Sequence, residues 1–101
     1  MPRTLEECSM MIIAYSGAAI SSSLAAVEKS DEGEEFEYLF EEAENNLGEA
    51  NKVHFEVLHK SASEKIDIDV LFIHAEDQML NAQTIITLSK KLARIHKKYG
   101  K

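Results

Sequence analysis

Chain breakers are scarce: one proline and four glycines in 101 residues. Such a chain can run in long uninterrupted segments, which favours helices over many short strands. A lone cysteine, Cys8, excludes an internal disulfide and points to a reducing compartment, the cytoplasm. Basic residues are outnumbered, 11 Lys and Arg against 18 Asp and Glu. The resulting formal charge of −7 argues against nucleic-acid phosphate or an anionic membrane as partner. Long apolar runs are missing too. The longest, Met10 to Tyr15, is too short to span a bilayer, so no membrane insertion is expected. Glu6 and Glu7 ahead of it have the wrong sign for a signal peptide. There is no glycine-rich phosphate loop, no HExxH and no cysteine pair. Ser21, Ser22 and Ser23 come without an elbow motif.

What the chain does have is helical periodicity. Its length fits one domain, residues 1–101, with 45% hydrophobic residues for a core. Thr4-Leu5-Glu6-Glu7 reads as a capping box. Leu5, Cys8, Ile12, Tyr15, Ala19, Ser22 and Ala26 then recur at steps of three and four, a single helical stripe. The pattern stops at Ser30-Asp31-Glu32-Gly33. Phe36, Leu39, Phe40, Ala43, Leu47, Ala50, His54, Val57 and Leu58 form a second stripe behind Glu34 and Glu35, which suit a helix N-terminus. Ser61 to Glu64 reads as a loop. Ile66 to Asp69 reads as the approach to a third helix, with Asp67 or Asp69 at its cap. That helix has Ile85, Leu88, Leu92, Ile95 and Tyr99 as its expected core face, and cations toward its end. Helices are thus expected at about 4–30, 34–60 and 68–99. The fold class is all-α, an antiparallel up-down-up three-helix bundle.

The third helix raises a question of chemistry. Its expected core face, carried upstream at ~100° per residue, passes through Thr84, Asn81, Asp77, His74 and Val70. Val70, Leu71, Phe72 and Ile73 meanwhile point in four directions, and a helix apolar all round is buried all round. Three helices cannot enclose one of their own, so further copies of the chain are expected around the front of this helix. Asp77 repeated about a symmetry axis would be self-repelling, a situation that a bound cation relieves. It is therefore a candidate metal ligand. A neutral imidazole is a good nucleophile and group carrier near neutral pH, which makes His74 a candidate. Gln78 stands one turn further on. His54, His59 and His96 read as structural or peripheral, and Glu76, roughly 200° from His74, reads as solvent-facing.

His74-Ala75-Glu76-Asp77-Gln78-Met79-Leu80, behind Leu71-Phe72-Ile73, resembles the active-site helix of the lactose/cellobiose-type enzyme IIA of the bacterial sugar phosphotransferase system. The usual pattern there is HAQDHLM after an aliphatic run. Ile13 to Ala19 is similar to the first helix of that family. Phe36, Glu42-Ala43 and Leu47 to Asn51 are similar to its second. The resemblance implies a homotrimer in which His74 accepts a phosphoryl group from the histidine phosphocarrier protein and passes it to a cysteine of the cognate enzyme IIB. It implies a divalent metal such as magnesium on the threefold axis, held by Asp77 of each chain, and uptake of lactose/cellobiose-type sugars. Three positions depart from the pattern: Glu76 stands for the family's Gln, Gln78 for its second His, and Ile20 for an arginine of the first helix. Gln78 leaves a possible phosphoryl-stabilising amide where an imidazole is usual. The departures motivate an alternative, a trimeric helical interaction or regulatory module with weak or no phosphotransfer.

Overall fold

The computed structural model describes residues 3–100. Three helices follow one another: α1 over Leu5–Asp31, α2 over Glu37–Ser63 and α3 over Val70–Tyr99. No strand occurs among the described residues. The bundle measures 56 × 22 × 17 Å, the dimensions of helices lying side by side. Three contacts fix their directions. Arg3 meets Glu56, joining the start of α1 to the end of α2. Ser30 meets His96, joining the ends of α1 and α3. Glu37 meets Lys97, joining the start of α2 to the end of α3. The topology is therefore up-down-up, as the periodicity required.

Local chemistry explains the helix ends. Thr4 Oγ1 accepts from the Glu7 amide at 3.1 Å, and Glu7 returns a carboxylate to the Thr4 amide at 2.9 Å. Those bonds hold the Glu7 carboxyl below the usual range, so the box is intact at neutral pH and weakens as pH falls through that lowered value. Thr4→Ala should cost about 1 kcal/mol and lower Tm by roughly 5 °C; a thermal melt that did not move would deny the cap this role. At the other end of α1, the Gly33 amide bonds to Ser30 O and the Glu34 amide to Lys29 O. That is a Schellman closure, and it needs the φ of 76° that Gly33 supplies. Because Glu34 is used in this turn, α2 begins at Glu37 rather than at 34. Its cap position, Phe36, has no side-chain hydrogen bond and instead packs edge-on against Phe40, centroids 6.0 Å apart. The expected loop at Ser61 to Glu64 is helical through Ser63; Ser61 and Ser63 return their hydroxyls to carbonyls of the preceding turn. Asp69 caps α3 by accepting from the Phe72 amide at 2.9 Å.

α2 and α3 both pack chiefly on α1 and touch each other much less. The reason is visible in the α1 heptads. Ser9, Ser16, Ser23 and Ser30 alternate with Ile12, Ala19 and Ala26, all buried. On α3 the buried positions also follow a seven-residue period: Phe72, Met79, Ile86 and Ala93, with Ala75, Ala82 and Ser89 between. The Ser30–His96 pair sets a register of 66 residues. Carried back by heptads, it puts Ser23 level with Ser89, Ser16 with Ala82 and Ser9 with Ala75. Small residues on both sides let the two backbones approach closely. The hydroxyls of Ser9, Ser16 and Ser23 find no partner there. An unpaired buried hydroxyl costs about 1–3 kcal/mol, and alanine is also the better helix former. Ser16→Ala should therefore raise Tm, whereas Ser30→Ala, which breaks the His96 bond, should lower it. Equal shifts in the two melts would refute the distinction.

α1 is long and apolar enough, by length and composition, to cross a membrane, although no single apolar run within it is. Its contacts with both α2 and α3 bury 33% of that apolar window.

Candidate functional site

The face of α3 expected to be core is in fact its outer face. Leu88, Leu92, Ile95 and Tyr99 are 56, 48, 52 and 75% exposed in the single chain. The chain's own core takes the opposite side of the helix, through Phe72, Ala75, Met79, Ala82, Ile86, Ser89 and Ala93. The larger apolar residues point outward because the α1–α3 contact admits only small ones at alternate layers. The outer stripe repeats every eleven residues: Val70, Ile73, Asp77; Asn81, Thr84, Leu88; Leu92, Ile95, Tyr99. All nine are exposed. A seven-residue period on one face and an eleven-residue period on the other give α3 two different seams, the outer one nearly straight.

His74, Asp77 and Gln78 lie at the front of this stripe, in the second and third turns after the Asp69 cap. His74 and Asp77 are exposed and Gln78 is half-buried. His74 is flanked by Ile73, half exposed, and by Val70, 81% exposed. Among the described residues no hydrogen bond engages its ring. At the neighbouring helix start the Phe72 amide is taken by the Asp69 carboxylate and the Ile73 amide by the Asp69 carbonyl. Asp77 projects from the same stripe with Asn81 one turn on. Among the described residues, no three His, Cys, Asp or Glu side chains of one chain gather to hold a metal. One carboxylate per chain could serve a cation only where several copies bring theirs together.

Two histidines behave differently from expectation. His54 does not stand alone: its Nε2 donates to Glu76 Oε2 at 2.7 Å, and its ring lies flat on Phe72, centroids 5.6 Å apart and planes 1° from parallel. Glu76 accordingly turns to α2 and is half-buried rather than solvent-facing. His96 is not peripheral either. Ser30 Oγ donates to Val27 O at 2.7 Å, which leaves Ser30 Oγ to accept from His96 Nδ1 at 2.9 Å. The periodicity had placed His54 on the core stripe; the antiparallel register of α2 and α3 was the missing signal that would have paired it with Glu76. Cys8 is buried, and burial followed by the Glu56 carboxylate pushes its thiol up, away from the reactive thiolate. Ile20 is half-buried and packs against the core.

Known proteins are similar to this chain in sequence and in fold. The family profile described as "PTS system, Lactose/Cellobiose specific IIA subunit" matches residues 7–97. The chain belongs to this family. It is 27% identical to the "Lichenan-specific phosphotransferase enzyme IIA component" of Bacillus subtilis (strain 168), over 97% of this chain and 92% of that one. It is 30% identical to the "PTS system oligo-beta-mannoside-specific EIIA component" of the same organism, over 93% and 88%. The crystal structure of the PTS cellobiose-specific enzyme IIA from Bacillus anthracis superimposes with a TM-score of 0.89 at 31% identity, covering 97% of this chain and 93% of that one. The three-helix fold and its place among the IIA components of the sugar phosphotransferase system are thereby fixed.

Proposed function

We propose that this IIA chain is a phosphocarrier with His74 as the transient phosphoryl acceptor. The observation that carries the reading is the family match over residues 7–97, joined to an exposed, unengaged His74 at the front of α3. A lone pair of the His74 ring forms a P–N bond as the P–N bond to the donor's histidine breaks, and that electron pair returns to the donor ring. In the second step a thiolate of enzyme IIB forms a P–S bond and His74 recovers its lone pair. Such transfers need one nucleophile, in-line approach and stabilisation of the moving charge. The half-buried Gln78 amide, one turn beyond His74, is the group at hand for the last of these. The donor is the histidine phosphocarrier protein, the compartment is the cytoplasm, and the sugar is of the lactose/cellobiose type.

The working unit is a homotrimer joined along the outer stripe of α3. Its exposed Val70, Ile73, Leu88, Leu92 and Ile95 motivate that assembly. A divalent cation such as magnesium would be held by Asp77 of the three copies, where it offsets their mutual repulsion; the transfer step does not pass through it. Incubation with phosphoenolpyruvate and the two general phosphotransferase proteins should give an acid-labile adduct on the wild-type chain and none on His74→Ala. An adduct that persists in His74→Ala would remove the assignment. The competing reading, an interaction module that has lost efficient transfer, is motivated by Gln78. A faster Gln78→His chain would support it, and an unchanged rate would remove its motive.

A further inference from the structure

We propose that His54 is a positioning residue for phosphoryl acceptance, holding the Glu76 carboxylate on the α2 side of α3 and away from the face that carries His74. The inference rests on the phosphocarrier reading of His74. Glu76 is two residues beyond the acceptor, on the same turn of α3 but roughly 200° round the helix from it. A carboxylate there is a liability, since like charges within one or two turns oppose each other. In the fold it is tethered: His54 Nε2 donates to Oε2 at 2.7 Å.

The tether is itself restrained. The His54 ring is half-buried and stacked on Phe72, which is 1% exposed and part of the main core, so the stack restrains the ring. The other charged links between α2 and α3, Glu44–Lys90 and Glu37–Lys97, lie about 20 Å or more further along the axis. At the His74 end, the His54–Glu76 bond is the polar clasp between these two helices among the described residues. No change of protonation is required. An Nε2–H donor and a carboxylate acceptor suffice.

Four variants separate this role from simple packing, with the rate of phosphoryl uptake from phosphoenolpyruvate through the general proteins as one readout and Tm as the other. His54→Ala frees the carboxylate and should slow uptake about tenfold, a modest cost for a displaced group beside a transfer centre. His54→Gln keeps a donor and should stay near the wild-type rate. Glu76→Gln removes the charge and should also stay near it. In His54→Ala/Glu76→Gln the rate should recover while Tm remains lowered, because the stack on Phe72 is still lost. A double variant as slow as His54→Ala, or a His54→Ala chain as fast as wild type, overturns the proposal while leaving His74 as acceptor. Absence of uptake by the wild-type chain overturns the phosphocarrier reading and this inference together.

Discussion

In the proposed homotrimer, Leu88→Asp is expected to separate the assembly into single chains that keep their helices. Leu88 is 56% exposed in the isolated chain, so an aspartate there costs the chain's own fold little. It lies on the outer stripe of α3 between Thr84 and Leu92, where a copy of the same helix would bring an identical residue alongside. Each added carboxylate would lose water at the seam and face its own symmetry mates, a cost of several kcal/mol for the assembly. Asp77→Leu works in the opposite direction: it removes self-repelling charges and adds apolar surface to the same stripe, so the assembly should hold or tighten. Sedimentation velocity distinguishes the two outcomes, with circular dichroism to confirm that helix content is retained. A Leu88→Asp chain that still sediments as the wild type, or an Asp77→Leu chain that falls apart, would refute the outer stripe as the joining surface. The pair of variants also separates assembly from cation binding, since Asp77→Leu removes the one carboxylate per chain that a cation could use.

The stripe also marks the limit of what periodicity alone reveals. Helix count, direction and the Thr4 cap were legible, and the third cap was narrowed to Asp67 or Asp69, because they rest on short-range rules: spacing of apolar residues, a capping box, a glycine that closes α1. The inward face of α3 was not. A hydrophobic pattern reports where large apolar side chains lie, and on α3 these lie outward, at Leu88, Leu92, Ile95 and Tyr99. The inward face is built from Ala75, Ala82, Ser89 and Ala93 with only Phe72, Met79 and Ile86 as bulk. Close approach of α1 selects small residues there and weakens the very signal a reader would use. Ser9, Ser16, Ser23 and Ser30 of α1, off the stripe read from the spacing, hid in the same way, whereas Ser22 was on it. At the candidate site, the α3 face and the family pattern made His74, Asp77 and Gln78 candidates. His54 was not one, because its partner Glu76 is 22 residues away and on another helix.

That dependence of the site's front end on one buried ring makes Phe72→Ala the most damaging single core substitution to expect. Phe72 is the largest fully buried side chain among the described residues. It sits in the first turns of α3, packed into the main core with Ile12, Met79 and Val53, and it carries the His54 ring on its face. Truncation removes the transfer energy of the ring and leaves a cavity that the α1 and α2 backbones cannot close. The usual cost is about 3–5 kcal/mol, against a total stability of about 5–15 kcal/mol for a domain. The clasp to Glu76 should loosen with it, so hydrogen exchange of the α3 amides near His74 should quicken more than exchange near Ile86. Urea unfolding at fixed protein concentration measures the first effect, since any assembly makes the midpoint concentration-dependent. Leu80→Ala, at a 57% exposed position on the same helix, is the control, and in the unassembled chain it should cost under about 1 kcal/mol. A Phe72→Ala midpoint no lower than that of the control would mean that the front of α3 is held by something other than this ring.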